Sequence, residues 1–334
     1  MTFLDSLSQK IRNDEPIPWY LDALLTAATP VYRIGMLFRG MQTPVKVDAR
    51  VISFGNLTSG GTGKTPAVIE RADAEIAAGN RVAVLTRGYG ATQRLDEIVF
   101  LKGDEARGMA DVIGDEPALI ARRVPGALIA RNADRVATAR KAVAEFGCNA
   151  LILDDGFQYL RLARDENVLI VDASNPFGNG RLLPRGTLRE PIGSAARATT
   201  IVLTHCDRVD TDRLRELEGQ LGVICPGVAI RETCHAPVSL WSVANGNELS
   251  LETLRAKTVA AVCAIARPES FVATLERLGA HVVEKRFFPD HARIPGEALR
   301  SRNTIVTTEK DAARMTKAPA NVFALGVRLS DFTL

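Results

Sequence analysis

The densest chemistry in this sequence is Gly55-Asn56-Leu57-Thr58-Ser59-Gly60-Gly61-Thr62-Gly63-Lys64-Thr65. Gly60, Gly61 and Gly63, set around Thr62, let backbone amides approach an anion closely, and the helix expected after them turns its positive end toward it. Lys64 can neutralise β- and γ-phosphate oxygens, and Thr65 offers a hydroxyl to Mg²⁺. The loop is expected to hold a nucleoside triphosphate. It is a variant, because G-x-x-x-x-G-K-[ST] asks for glycine at position 58, where this sequence has Thr58. The plainer alternative is a glycine-rich turn without a nucleotide.

A triphosphate site also needs a carboxylate at a neighbouring strand end, for the metal or its water. Asp154-Asp155 follows the apolar run 150–153. Adjacent strand residues point to opposite faces, so both carboxylates reach one metal only if the strand ends there, and Gly156 permits that bend. Asp172 ends another apolar run, where a second metal neighbour and a turn residue are the two readings, and the turn residue is the preferred one. Transfer of a phosphoryl group to an alcohol further requires an orienting carboxylate or base, with positive charge around the phosphate. Gly114-Asp115-Glu116-Pro117 puts two carboxylates at a helix start, where capping is the competing explanation. Arg181, Arg185 and Arg189 recur every four residues, but Pro184, Gly186 and Pro191 interrupt any helix there. They read as an arginine-bearing loop beside phosphates. His291 lies in a loop after a strand of the C-terminal third, and matters to chemistry only if two units close on one cleft. His205, His235 and His281 have no ligand spacing.

These groups need a scaffold. Short β-rich apolar runs at 51–54, 81–85, 127–130, 150–153, 168–171 and 200–203 alternate with helical patterns at 66–78, 117–123 and 132–146. Continuous apolar strands between helices imply a mostly parallel sheet covered on both faces. After about residue 222 the pattern restarts, with strands at 258–265, 281–287, 303–307 and 321–327 and helices at 268–278 and 311–316. The chain is therefore expected to be α/β, with a core domain at 41–235 and a smaller α/β domain at 236–334. A polar, proline-containing stretch near residue 236 marks the boundary.

The whole chain bounds the options. Its 334 residues are 46% hydrophobic and 24% charged, enough for two cores of roughly 150 residues each. A net charge of +3 gives no electrostatic footprint for a nucleic acid. Five cysteines without a CxxC pair argue against a disulfide framework and a zinc site, and fit a reducing compartment. The first ten residues have no apolar signal-peptide core. Residues 1–40 differ from the rest. The run 19–38 is mostly apolar but carries Asp22, Pro30 and Arg33, which is too interrupted to span a bilayer. With Trp19, Tyr20 and Tyr32 as interfacial aromatics, and Lys10, Arg12, Arg33, Arg39 and Lys46 as cations, it fits a helix lying in a membrane interface. It equally fits a helix packed on the body.

Taken together, these segments resemble the tetraacyldisaccharide 4′-kinase, or lipid A 4′-kinase, family. The resemblance rests on Gly55-Asn56-Leu57-Thr58 through Lys64-Thr65-Pro66, Arg87-Gly88-Tyr89-Gly90, Gly114-Asp115-Glu116-Pro117, Asp154-Asp155-Gly156-Phe157-Gln158, Leu188-Arg189-Glu190-Pro191, Asp290-His291 and Thr308-Glu309-Lys310-Asp311, in family order over nearly the whole chain. It implies a P-loop NTPase-like core that moves the γ-phosphate of ATP, with Mg²⁺, to the 4′-hydroxyl of a tetraacylated glucosamine disaccharide 1-phosphate. It further implies a C-terminal domain closing over the cleft, an N-terminal segment docked on the cytoplasmic face of the inner membrane, and no obligate protein partner. By resemblance Asp115 is the catalytic aspartate and His291 its partner. Lys64 and Thr65 serve phosphate and metal, Asp154 and Asp155 the metal, and Arg189 and Glu190 the surroundings of the phosphates. The family's Asp-Asp-Gly-Phe-Gln-His ends here in Tyr159, which cannot carry an imidazole's charge. Two rival readings are a P-loop GTPase switch, for which Thr204-His205-Cys206-Asp207 lacks the guanine-reading Asn and Lys, and a membrane-associated structural protein with a degenerate loop.

Overall fold

A computed structural model of the chain describes residues 3–12, 14–88, 91, 97–106 and 108–333. Tyr89 and Gly90 of the Arg-Gly-Tyr-Gly motif lie outside the described residues. In chain order the elements are α1 (Phe3–Arg12), α2 (Trp19–Gly40), β1 (Arg50–Gly55), α3 (Lys64–Ala77), β2 (Val82–Thr86), β3 (Val99–Lys102), α4 (Ala110–Ile113), α5 (Asp115–Arg123), β4 (Leu128–Arg131), α6 (Arg135–Phe146), β5 (Ala150–Leu153) and β6 (Glu166–Asp172). They continue with β7 (Thr200–Thr204), α7 (Thr211–Ile224), β8 (Ala229–Ser242), β9 (Glu248–Leu249), β10 (Thr258–Cys263), α8 (Pro268–Arg277), β11 (His281–Phe287), β12 (Thr304–Thr308), α9 (Glu309–Ala312) and β13 (Val322–Asp331).

Alternation along the strands explains the layers. In β5, Ala150 and Ile152 join one apolar cluster with α3 and α5 residues such as Val68 and Ile120, while Leu151 and Leu153 join another with Val136, Ala139 and Ala142 of α6. Both faces of the sheet are thus covered by helices, as continuous apolar strands require. The strand order is β11-β10-β12-β13-β8-β7-β6-β1-β5-β2-β4-β3, with β9 appended to β8. β1 pairs in parallel with β5 on one side and β6 on the other. Its C-terminal end is therefore the point where successive crossovers leave in opposite directions, the crevice in which open α/β sheets bind ligands.

β8 ties the two halves of the chain together. Residues 229–232 pair in parallel with β7, and residues 233–242 pair antiparallel with β13. Residue 236, at the expected boundary, lies inside this one strand rather than in a linker. Its mixed burial concealed the strand in the sequence, since neither face is uniformly apolar. The helix expected at 311–316 is only the short α9, and β3, β9 and α7 add to the expected elements. The α7 signal was present: Asp210 caps it by accepting from Arg213 N, and Leu214, Leu217 and Leu221 are its buried stripe.

α2 leans on the core through polar contacts. Tyr32 Oη donates to the Arg189 carbonyl at 2.8 Å, and Arg185 and Arg181 both reach Asp22. Among the described residues no helix is long and apolar enough to cross a membrane.

Candidate active site

The phosphate loop leaves β1 at the sheet centre and enters α3. Gly63 sits at φ +80°, and a Cβ there would lie 2.6 Å from His235 Nε2, so this turn requires glycine. Position 58 makes no such demand. Its backbone is bridged to Leu188, with Ser59 N donating to the Thr187 carbonyl at 2.7 Å and Arg189 N donating to the Leu57 carbonyl at 2.7 Å. Threonine fits this strand-like segment, which explains the departure from the motif. Gly60, Gly61 and Thr62 form the turn between it and Gly63. Lys64 is buried, donating from Nζ to Asn56 Oδ1 at 2.9 Å, and Asn56 is itself held by Gln158 Nε2 on its carbonyl. Thr65 follows, half-buried, in the first turn of α3.

The two aspartates after β5 divide. Asp155 adopts φ +55°, which bends the chain immediately past the strand and brings its carboxylate back over the loop. There it receives Arg189 Nη1 at 2.7 and 2.8 Å and Lys64 Nζ at 3.4 Å. Burial alone would raise it, but these cations hold it at about 2. Asp154 is buried, and its Oδ1 has no hydrogen-bond partner among the described residues. Its desolvation, with the charges of Glu116 and Asp155, outweighs Lys64 and Arg135 and pushes it up to about 7. An unsatisfied, buried carboxyl destabilised by its own charge is a site prepared for a cation. Among the described residues no group of three or more His, Cys, Asp or Glu side chains gathers as a metal site. Thr65 and Asp154 with phosphate and water oxygens are instead the sparse oxygen set Mg²⁺ takes, so the residues fit it.

Glu190 does not face the loop openly. It is buried and bonded by Arg197, whose guanidinium lies 4.7 Å over the Phe157 ring. Arg181 and Arg185 turn to Asp22 of α2, leaving Arg189 as the arginine of that loop at the site. Tyr159, at the position of the family's histidine, has its ring 5.0 Å from the Arg135 guanidinium, and its hydroxyl lies 3.1 Å from Asp134 Oδ1, the N-cap of α6.

The acceptor side is built from both halves. Gly114, at φ 95° and ψ 161°, a conformation open to glycine alone, starts α5 without a side-chain cap. Asp115 is therefore not a cap. It is 1% exposed, with its Oδ2 3.1 Å from His291 Nδ1 and bonded by Arg314 Nη2. His291 reaches it from the loop after β11, at φ +63°. Burial would raise Asp115, but His291, Lys310 and Arg314 hold it at about 2. Asp115 Oδ1 is buried and has no hydrogen-bond partner among the described residues. Lys310 Nζ lies 3.3 Å from Glu116 Oε1, and Glu116 is within electrostatic reach of Asp154 beside the phosphate loop, where its charge helps raise that carboxyl. Asn56, Arg135, Lys310 and Arg314 were not anticipated as site residues. Lys310 carried a signal, in Thr308-Glu309-Lys310-Asp311, whereas Arg314 stands in no motif.

Asp172 is more than a turn residue. It accepts from Ser174 N and Oγ at 3.0 and 2.6 Å, and pairs with Arg267 at 3.1 Å across to the C-terminal half. His205 packs on His235, with ring centroids 4.4 Å apart.

A glycine-rich strand-to-helix turn ending in Lys-Thr, beside a buried acid at the switch point of a parallel sheet, defines a P-loop phosphotransferase. The model of the family described as Tetraacyldisaccharide-1-P 4'-kinase matches residues 19–331, and the chain belongs to this family. Its reaction is transfer of the γ-phosphate of ATP to the 4′-hydroxyl of tetraacyldisaccharide 1-phosphate, giving lipid IVA in lipid A synthesis. A tetraacyldisaccharide 4'-kinase of Anaeromyxobacter sp. (strain K) is 45% identical over 311 residues, covering 90% of this chain and 82% of its own. That of Syntrophus aciditrophicus is 39% identical, covering 90% and 86%. LpxK from Aquifex aeolicus, crystallised in complex with ATP, superposes with a TM-score of 0.75 at 28% identity, covering 93% of this chain and 95% of that one.

Proposed function

We propose that Lys64, the loop amides of Gly60–Gly63 and Arg189 hold the ATP phosphates, and that Asp115 and His291 serve the sugar hydroxyl. The observation that carries this reading is the Asp115–His291 pair, assembled from α5 and from the C-terminal half, facing the cleft that holds Lys64 and Asp154. A carboxyl held at about 2 is a weak base at neutral pH, so Asp115 orients while the imidazole accepts the proton. His291 Nδ1 lies 3.1 Å from Asp115 Oδ2 and 2.9 Å from Arg314 Nη2, which fixes the ring and leaves Nε2 on the other side as the proposed acceptor. The unpartnered Asp115 Oδ1 gives the carboxylate a second acceptor for the substrate side.

Thr65 and Asp154 would hold Mg²⁺, with Asp155 behind them keeping Lys64 and Arg189 in place. The ion supplies charge neutralisation on the phosphates. Glu190 acts by positioning Arg197 against Phe157 beneath the Asp154–Asp155 turn.

Three units follow from this assignment: residues 1–40 dock on the membrane, 41–235 bind nucleotide, and 236–334 bring His291 over the cleft. Docking is supported by α2, which leaves Trp19, Leu24, Val31, Leu37 and Phe38 each more than 60% exposed while Tyr32 and Asp22 fix it to the core. A helix held by polar contacts with a bared apolar surface suits a bilayer interface, here the cytoplasmic face of the inner membrane, where ATP is available.

The test is label transfer from γ-labelled ATP to tetraacyldisaccharide 1-phosphate in detergent micelles with Mg²⁺. Label is expected in the lipid, and its loss in Lys64→Ala locates the nucleotide site. Transfer undiminished in Lys64→Ala would overturn the loop assignment.

A further inference from the structure

Lys310 stands out among the charged groups of the cleft. Its Nζ lies 3.2 Å from His291 Nε2, the nitrogen that must be free to take a proton. The same ammonium is 3.3 Å from Glu116 Oε1, 3.7 Å from Asp290 Oδ1 and 3.8 Å from Asp115 Oδ2. Every one of these is longer than a well-formed charge-assisted hydrogen bond, about 2.7–2.9 Å. Lys64, by contrast, is seated at 2.9 Å on Asn56, and Arg314 is bonded tightly to Asp115. Lys310 is therefore held by a surrounding field rather than locked by geometry. Three carboxylates (Asp115, Glu116 and Asp290) and two cations (Lys310 and Arg314) surround the His291 imidazole. Burial would lower the Lys310 ammonium, but the charges of Glu116, Asp290 and Asp115 outweigh it and raise the group above its ordinary value. Glu116, its nearest carboxylate, is also one of the charges that raise Asp154 beside the phosphate loop.

We propose that Lys310 is a further catalytic residue, an ammonium that covers His291 Nε2 before the triphosphate arrives and then moves onto the oxygens of the transferring phosphoryl group. This rests on the reading of Asp115 and His291 given above. The terminal phosphate offers more negative charge than any one of the three carboxylates, and a flexible four-carbon stem lets the ammonium follow it. Its departure opens the Lys310 side of Nε2 to the sugar hydroxyl. The sugar hydroxyl then gives its proton to Nε2 as its oxygen bonds to the γ-phosphorus, the bond from that phosphorus to the bridging oxygen breaks, and ADP leaves with the electron pair. Lys310 keeps its proton throughout and balances charge on the transferring group. One residue thus couples arrival of ATP to exposure of the base, which also guards the base when no phosphate is present.

The groups facing His291 are Asp115 from α5, Lys310 and Arg314 from α9 and the turn after it, and Asp290 beside it, with the Arg293–Asp111 pair two residues along. Removing one positive charge from this set raises the proton affinity of the base. The experiment measures kcat, ATP dissociation constant and the pH profile of kcat for Lys310→Met, Lys310→Arg and His291→Ala beside the wild type. Expected for Lys310→Met is a kcat loss of about 10²–10³-fold, with ATP affinity weakened by about three- to tenfold and the acid limb moved up by about one pH unit. Lys310→Arg, which keeps the charge, recovers part of the rate. A Lys310→Met enzyme with near-wild-type kcat overturns the proposal, as does a slow one with an unmoved acid limb and no rescue by arginine, since that pattern belongs to a structural ion pair. Normal turnover in His291→Ala sinks the acceptor-pair reading instead, so the two failures are distinguishable.

Discussion

At the scale of single residues, the site separates carboxylates by environment rather than by type. Asp115 and Asp155 are held at about 2 by cations that outweigh their burial, while Asp154, with no bonded cation among the described residues, is pushed to about 7. The first two are fixed anions that orient other groups, and the third awaits a positive partner. Replacing Asp115 with Asn keeps the shape and removes the charge. Expected is a loss of about 10²–10⁴-fold in kcat with ATP binding retained; turnover at the wild-type rate would remove Asp115 from the mechanism. The same variant has a stability signature. A carboxyl whose folded value lies below its unfolded one stabilises the protein above about pH 4 and loses that contribution as pH falls toward 2. Wild type should therefore exceed Asp115→Asn by about 2 kcal/mol at neutral pH, with the gap closing in acid, as read by urea unfolding across pH.

At the scale of elements, α2 is the informative case. Its residues include Asp22, which the core uses, and Tyr32, whose hydroxyl reaches the backbone of Arg189, the residue that grips Asp155. Leu21, Leu25 and Met36 are partly covered, but Trp19, Leu24, Val31, Ile34, Leu37 and Phe38 stay exposed. Exposing several large apolar groups costs solubility unless another phase covers them, at about 1.5–3 kcal/mol for each side chain buried. Leu37→Asp with Val31→Asp is expected to lower partition onto anionic liposomes by about tenfold or more, while transfer to substrate in detergent changes less. Unchanged partition would return α2 to an ordinary surface helix. Deleting residues 3–40 makes the same comparison more severely, because it also removes the Tyr32 and Asp22 contacts.

At the scale of the molecule, the question is what keeps α5 and the C-terminal half in register, since Asp115 and His291 come from opposite sides. Glu309 supplies much of the answer. Its buried carboxylate accepts from Arg123 of α5 at 2.8 Å and from Trp241 Nε1 of β8 at 3.1 Å. Arg122, one residue before Arg123, stacks on the same indole at 3.4 Å. Glu309→Ala leaves a half-buried guanidinium unpaired and should cost about 3 kcal/mol in chemical denaturation, with a parallel fall in kcat from misplacement of the pair. A stability loss without any change in kcat would show that Glu309 has no part in aligning the cleft.

How much of this was legible in the sequence follows from the range of the interactions involved. The phosphate loop, the acidic strand end and the parallel sheet are local or periodic signals: glycines set by backbone conformation, Lys-Thr at a helix start, and apolar strands buried on both faces. The ordered motifs were enough to identify the family. Strand β8 was not legible, because a strand that changes partners halfway has no constant face and so no period. The partition of Asp154 from Asp155 was not legible either, since it depends on Arg189 arriving 34 residues later and on a left-handed bend at one residue. Nor could sequence reveal that Arg181 and Arg185 serve α2, or that Lys310 and Arg314 close on an aspartate about 200 residues away. Backbone conformation and burial pattern are written residue by residue. The charge environment of a cleft is a sum over distant side chains, and only the tertiary fold brings its members within reach of one another.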